Sequence, residues 1–197
     1  MKTKSIRLLL PVLLSLLLSA CGKSSSAVSQ TMAAASDATP KQTVETALDA
    51  LKRADTNVYN SLIQYVEEKD GAVVYKDNKI FGDKLDQEEK EFVTSIFEDF
   101  SYKIGDVKEN GDTATVPIQI TNRDLSNVWK DILRYRDADN PMTEAVKNSD
   151  HKLVTVNTEI TLKKTNGAWM VQMNHTLINS LCGGFVPDFS KMLSFLK

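Results

Sequence analysis

Cysteine and histidine are scarce in this chain, with two of each among 197 residues. Zinc and other transition metals are usually held by clusters of these side chains at short, regular spacings. The two cysteines and two histidines here form no such spacing; they are Cys21, His151, His175 and Cys182. The sequence therefore predicts no metal site, and we expect no cofactor.

Concentrated positive charge is also lacking. The 24 basic residues are balanced by 26 acidic ones, and no basic cluster with interleaved aromatic residues occurs. Because nucleic-acid-binding domains carry such a cluster, nucleic acid is not expected as a partner. No Gly-rich phosphate loop, Ser-His-Asp order or paired-carboxylate spacing is present to indicate a class of enzyme.

A single long apolar run is present, and it is too short to favour a stable membrane span. It covers Ile6 to Leu18 and follows the basic residues Lys2, Lys4 and Arg7. Thirteen helical residues extend about 20 Å, whereas the hydrocarbon core is about 30 Å thick. A basic start, an apolar run and small residues after it are typical of a cleaved signal peptide.

The residues that close this run, Leu18-Ser19-Ala20-Cys21, resemble the lipobox of bacterial lipoproteins. The resemblance implies that residues 1–20 are a signal peptide and that Cys21 carries a diacylglyceryl thioether. Two acyl chains supply the double hydrophobic signal that stable anchoring needs. The resemblance thus implies a lipid-anchored protein on the extracytoplasmic face of the cell membrane. Ordinary secretion, with Cys21 incidental, is the alternative.

Loss of the signal peptide has two consequences. It removes three basic and no acidic residues, so the net charge changes from −2 to −5 and favours no contact with anionic lipid. If Cys21 is lipidated, Cys182 has no partner for an intrachain disulfide. Cys182 lies among apolar neighbours, which favours a buried small hydrophobe over a reactive thiol.

Residues 21–38 are predicted to be the lipidated cysteine and a flexible tether. The stretch is rich in Ser, Ala and Thr and has almost no large apolar residue. Such a chain buries too little to offset its ordering entropy, and it spans roughly 20–25 Å on average. Residues 39–197 have the size of a single domain.

The spacing of apolar residues in 39–197 predicts an α+β fold. Three helices are expected first: one capped by Thr39-Pro40, a short one through about Val66, and one from Asp86. A small hairpin is expected between the second and third, over Gly71 to Phe81 around Asp77-Asn78.

About four long strands then alternate in hairpins and predict a curved antiparallel sheet on which the N-terminal helices pack. They are Phe100–Ile104, Ala114–Ile120 with Pro117 at an edge or bulge, Val154–Leu162, and Ala168–His175 after an Asn-Gly turn. A helical insertion, Asp124 to Ser149, separates the middle strands. Its apolar stripe comprises Leu125, Val128, Trp129, Ile132 and Leu133.

Three segments resemble the cone-shaped nuclear-transport-factor-two-like superfamily, and more narrowly small Gram-positive lipoproteins of unknown function built on that fold. They are Thr39–Val44, which opens the first helix, Phe100–Ile104, and the hairpin Asn166–Val171 with its Gly-x-Trp-x-Val pattern. The resemblance implies an apolar pocket between a concave sheet and a long helix. Some members of the superfamily use a pocket Asp or His as a general acid or base.

His175 is the corresponding candidate in this chain. It alternates with Trp169, Val171 and Met173, so these side chains are expected on one strand face that points into the cone. An imidazole in that position would carry protons at ordinary pH. The plainer interpretation is a strand-end histidine that bonds a carbonyl or reaches solvent. We favour it because no carboxylate occurs at a sequence spacing that would predict a pair with His175.

A second candidate lies on the insertion. Trp129, Tyr135 and the neighbouring arginines Arg134 and Arg136 would suit a binding edge for an anionic or sugar-like ligand. The alternative is that Trp129 packs in the helix stripe while the arginines pair with nearby aspartates on a solvated face. We favour this alternative.

Three functions are compatible with these patterns. The first, which we favour, is a non-enzymatic lipoprotein that binds a small ligand or an envelope partner. The second is a pocket enzyme of the isomerase, dehydratase or hydrolase type with His175 as general acid or base. The third is an interaction module that uses the insertion as its partner surface.

Overall fold

The computed structural model describes residues 38–70, 72–76 and 79–185. The predicted signal peptide, Cys21 and the tether up to residue 37 lie outside this part. The helices are α1 (Pro40–Lys52), α2 (Thr56–Ser61), α3 (Gln87–Ile96), α4 (Val128–Asp131), α5 (Pro141–Lys147) and α6 (His175–Leu181), with a 3₁₀ turn at Ile132–Tyr135. The strands are β1 (Ile63–Lys69), β2 (Ala72–Lys76), β3 (Ser101–Ile104), β4 (Lys108–Asn110), β5 (Thr113–Arg123), β6 (Leu153–Thr165) and β7 (Ala168–Met173).

Helices α1 and α3 begin where their capping residues predict. The Thr39 hydroxyl accepts a hydrogen bond from the Gln42 amide at 3.2 Å, and the Gln42 side chain accepts one from the Thr39 amide at 2.9 Å. Asp86 and Glu89 form the same reciprocal pair at the start of α3. Each pair satisfies two backbone donors that a helix start leaves open.

The predicted second helix is wrong beyond Ser61. Asp55 caps α2 at the amide of Val58, but the chain becomes extended at Ile63 and forms β1. Ile63 pairs in parallel with Val171 of β7, which is distant in sequence. This pairing overrides the local helical spacing of Val58 to Val66, because a short run of apolar residues fits either structure.

The small hairpin also differs from its prediction. Its strands are β1 and β2, joined at 70–71, with Glu67 paired to Val74. The predicted turn residues Asp77 and Asn78 lie outside the described part. Phe81 forms no strand and packs edge to face on Tyr59 and Phe97 instead.

The strands form one open, mixed sheet, and the α+β prediction is confirmed. The described residues give seven strands rather than about four, in the order β2-β1-β7-β6-β5-β3, with β4 also on β5. The β1–β7 pairing is parallel and the others are antiparallel. Helix α1 packs against β5 and β7, so the core lies between the helices and one sheet face.

Pro117 lies where β5 loses its regular partner. On one side β5 pairs first with β4, up to Thr115, and then with β3, from Ile118. Between these pairings the Gly105 amide donates to the Pro117 carbonyl at 2.8 Å. The predicted edge or bulge is thus an interruption of the ladder, at the residue that has no amide hydrogen to donate.

The last predicted strand ends earlier than expected. β7 stops at Met173, and the Asn174 side chain accepts from the Leu177 amide at 2.9 Å to cap α6. His175 is therefore the first residue of a helix and not the last residue of a strand. The Asn174 side chain satisfies a backbone amide at the start of the helix. A longer strand would need a neighbouring strand to satisfy its backbone amides.

The insertion is helical as predicted, but its apolar stripe is not intact. Leu125 and Val128 are buried, whereas Trp129 and Leu133 are 48% and 60% exposed. The α-helix lasts a single turn and continues as a 3₁₀ turn with three residues per turn. Ile132, in the 3₁₀ turn, still packs against the core, so the apolar face is interrupted at Trp129 and Leu133.

Candidate functional site

An apolar cavity of about 140 Å³ lies beside helix α3. Its walls come from the loop that precedes α3, from α3 itself, from the first turn of α5 and from the chain that follows α6. They are lined by Ile80, Phe81, Gly82, Leu85, Glu89, Phe92, Val93, Ile96, Met142, Cys182 and Phe185.

Polar groups of α2 and β1 hold the loop wall in place. The Thr56 hydroxyl donates to the Gly82 carbonyl at 2.6 Å, and the Asn60 amide donates to the Phe81 carbonyl at 2.9 Å. The Tyr65 hydroxyl accepts from the Ile80 amide at 3.3 Å, and burial raises the pKa of this tyrosine. Three backbone groups of the loop are thus satisfied, and its apolar side chains line the cavity.

The opposite wall is positioned by the end of β5. The Asn122 side chain donates to the Leu181 carbonyl at 2.8 Å, and the Leu125 amide donates to the Gly183 carbonyl at 2.8 Å. These bonds fix the turn after α6 and place Phe185 against Phe92, with ring centroids 6.0 Å apart and planes at 74°. Edge-to-face packing of this kind gives the cavity a defined aromatic side.

The cavity has little polar chemistry. Cys182 is buried in its wall, and burial raises the pKa of the thiol to about 12, so it is neutral at ordinary pH. Glu89 is the one charged lining residue; it is exposed and caps α3. The site can therefore bind an apolar group, and its lining offers no acid–base pair.

The residues predicted for a pocket on β7 do not line this cavity. Trp169 and Met173 are buried in the core, as is Val171 between them. His175 is exposed at the start of α6. His175 does not share a face with them, because the chain turns into a helix at Asn174. Its exposed side chain agrees with the plainer interpretation that it reaches solvent, although at a helix start and not at a strand end.

The candidate residues on the insertion do not form a single site either. The Arg134 guanidinium pairs with Asp131 at 2.9 Å and Arg136 pairs with Asp137 at 3.7 Å, so the predicted aspartate pairs form. Trp129 is half exposed with Lys130 near its ring face, which contradicts its predicted place in the packing stripe. Tyr135 is half-buried against the core.

A second, polar groove runs between α3 and α5. Its lining carries both signs of charge: Lys147 pairs with Glu91 within the groove, and Glu98 pairs with Arg123 at 2.9 Å. His151, also in the lining, lies 3.7 Å from Asp99. The contact with Glu91 raises the pKa of Lys147. Since the opposite charges offset each other locally, the groove presents no concentrated charge for an ionic ligand.

Comparison with other proteins adds no assignment. The chain matches no protein-family model, and no curated protein shows significant similarity to it. Within the described ranges, no three His, Cys, Asp or Glu side chains are grouped as metal ligands are, and no helix there has the length and apolar character to cross a membrane. The apolar cavity is therefore the candidate site that the geometry favours.

Sequence reasoning missed this cavity because its walls come from four separate segments. Phe81 ends the predicted small hairpin, Phe92 lies in the predicted helix from Asp86, and Met142 lies in the predicted insertion. Phe185 follows the last predicted strand. No local period connects these residues, and their segments are brought together by bonds between distant parts of the chain, such as those from Asn122 and Tyr65.

Proposed function

We propose that this chain is a membrane-anchored extracytoplasmic lipoprotein whose domain binds a small apolar ligand without performing chemistry on it. The proposed lipid anchor is supported by the lipobox-like Leu18–Cys21 after a short apolar run. The binding half is carried by one observation, the aromatic-walled cavity beside α3. Because His175 is exposed and does not line this cavity, its position does not support a proton-transfer role there.

The domain is proposed to be a divergent nuclear-transport-factor-two-like fold. Two features support this: two helices precede a sheet built largely of hairpins, and the first strand runs parallel to the last. The cavity differs from the one that the resemblance implies, because it lies beside α3 and the insertion and not between the sheet and α1.

The cavity volume sets the size of the ligand. A dry cavity of about 150 Å³ accepts a benzene-sized molecule. A ring of this size buries about 150 Å² of apolar area, which contributes at most about 4 kcal/mol before the cost of association, so the tightest dissociation constant expected is about 1 mM. The natural ligand would then be a small apolar molecule, or an apolar group of a larger one that enters at the rim near Leu85.

Toluene is expected to bind the mature chain with a dissociation constant of about 1 mM or higher. The measurement is a titration followed by the methyl NMR signals of Met142 and Val93 in the Cys21→Ala protein. Leu85→Trp, which fills the rim, is expected to weaken binding at least about tenfold. Leu133→Trp, at an exposed site on the insertion, is the matched control and should bind as the parent does. Equal binding by both variants, or no saturable shift in the parent, would overturn the proposed site.

The anchor is tested by fractionating cells that produce the full chain. Cys21→Ala is expected to lose labelling by radioactive palmitate and to shift the protein out of the lipid-anchored membrane fraction, because no acyl chain remains to hold it. Cys182→Ala removes the other cysteine and should stay membrane-bound and labelled. If the two variants label and fractionate alike, the lipoprotein assignment fails.

A further inference from the structure

Strand β6 has a long edge that no strand of the described residues pairs with. β5 pairs with β6 from Leu153 to Lys163, but β7 pairs only with Leu162–Thr165. Beyond that point β7 leaves β6, and its residues Val171–Met173 pair with β1. Residues 153–161 of β6 therefore have a strand partner on one side only, over about 30 Å.

The ladder shows which backbone groups lie at this edge. The Lys164 amide donates to the Asp112 carbonyl at 2.8 Å, which makes these two residues a hydrogen-bonded pair. Because such pairs alternate in an antiparallel ladder, the even-numbered residues of β6 bond to β5. The odd-numbered residues direct their N–H and C=O groups to the open edge, and all five of their side chains are exposed; they are Leu153, Thr155, Asn157, Glu159 and Thr161.

This edge lacks the protection found at the β3–β4 side of the sheet. There the strands are short, the ladder is interrupted opposite Pro117, and Lys103 and Lys108 are exposed. The stretch 153–161 has no lysine, no proline and a single charge, Glu159. Long edges without such features pair with another strand.

We propose that two copies of this chain associate through the open edges of their β6 strands, antiparallel about a twofold axis at Asn157. In this register Thr155 lies opposite Glu159 of the second copy, Leu153 lies opposite Thr161, and Asn157 lies opposite itself. No like charges are opposed, and an amide side chain both donates and accepts, so it is complementary to its own copy.

The inner face of the strand supports the same register. Val154 and Val156 are only half-buried, although their side chains point to the core face. Across the twofold axis Val154 would face Ile160 and Val156 would face Thr158 of the second copy. The valines then gain the cross-strand contacts that β7 would have supplied had it continued along β6. A closed twofold contact uses this patch on both copies, so the open edge of β6 is covered in both.

Disulfide cross-linking of the full chain tests the register. Cells producing Asn157→Cys are lysed and oxidised with copper phenanthroline, and dimer is measured on a non-reducing gel. The α-carbons of a hydrogen-bonded pair lie about 5.5 Å apart, within the range that a disulfide spans, so a dimer band at least about tenfold above that of the native chain is expected. The native chain, with Cys21 and Cys182, gives the background.

A second pair of variants keeps the test independent of that single site. Thr155→Cys alone should not cross-link, because its copy lies four residues away along the strand. Thr155→Cys and Glu159→Cys chains with different tags, produced together, should form the mixed dimer. Absence of both the Asn157 and the mixed dimers, as when residues outside the described part cover the edge, overturns the proposal; so does equal cross-linking by Thr155→Cys alone. Because the assay needs neither lipid nor ligand, it separates this proposal from the proposed function.

Discussion

Arg123→Met is expected to lower the free energy of unfolding by about 3 kcal/mol. Arg123 is among the largest fully buried side chains of the described residues. Its guanidinium donates to Asp99 at 2.8 Å, to Glu98 at 2.9 Å and to the Val146 carbonyl at 3.0 Å. These bonds join the end of β5 to the segment after α3 and to the end of α5. Methionine keeps most of the volume but removes all of these bonds, and the Val146 carbonyl keeps only its local bonds, such as those from the amide and hydroxyl of Ser149.

The size of this effect depends on how much water reaches the carboxylates. Glu98 and Asp99 are 61% and 34% exposed, so both can be rehydrated once the arginine is gone. Relief of the desolvation of the guanidinium also offsets part of the loss, which keeps the expected cost below the upper range for breaking a buried pair.

Arg134→Met is the matched control for this prediction. Arg134 also pairs with an aspartate, Asp131 at 2.9 Å, but its side chain is 77% exposed. Its loss is expected to change stability by less than about 0.5 kcal/mol. Urea unfolding followed by circular dichroism gives both values, and similar values for the two variants would contradict the role assigned to Arg123.

Gly183→Ala is expected to destabilise the protein by about 3–5 kcal/mol. Gly183 has φ +58°, in the left-handed region, and a Cβ placed there would overlap the backbone carbonyl oxygen of Arg123. A backbone atom within a sheet cannot move as a flexible side chain does, so the turn after α6 would have to shift. That shift would also disturb the bond from Leu125 to Gly183 and the wall of the cavity.

Gly111→Ala is the control that measures the cost of a left-handed backbone angle without steric overlap. Gly111 has φ +59°, but no atom lies within 4 Å of the position of an added Cβ. Its substitution is expected to cost only about 1 kcal/mol, the penalty for an L-residue in the left-handed region. If thermal unfolding shows equal losses for both variants, the close approach to Arg123 is not what requires glycine at 183.

Local sequence signals located most helices and hairpins of the described part. Thr39 and Asp86 predict helix starts because a cap needs only a side chain and an amide a few residues away. The Asn166-Gly167 turn predicts the β6–β7 hairpin for the same reason, since both partners are neighbours in the chain. Predictions failed where a distant partner decided the structure, as at Ile63, which pairs with Val171.

Local signals of this kind do not predict the candidate site. Its aromatic wall requires Phe92 and Phe185 to meet across 93 positions of the chain, and this depends on Asn122 holding the carbonyl of Leu181. Alternation along one strand is the signal that predicts Trp169, Met173 and His175 for a pocket. Alternation places a side chain on a face, but it does not show whether that face is packed solid, as it is around Trp169 and Met173.

By itself, the sequence determined the α+β class, the turn of the β6–β7 hairpin and the starts of α1 and α3. Each of these depends on contacts between residues a few positions apart, whose geometry the backbone alone restricts. Only the tertiary structure decided that β1 is a strand, that β7 leaves β6 for β1, and that four segments enclose a cavity beside α3. These features depend on pairings between distant segments, and their free energy is gained only when the whole domain is folded.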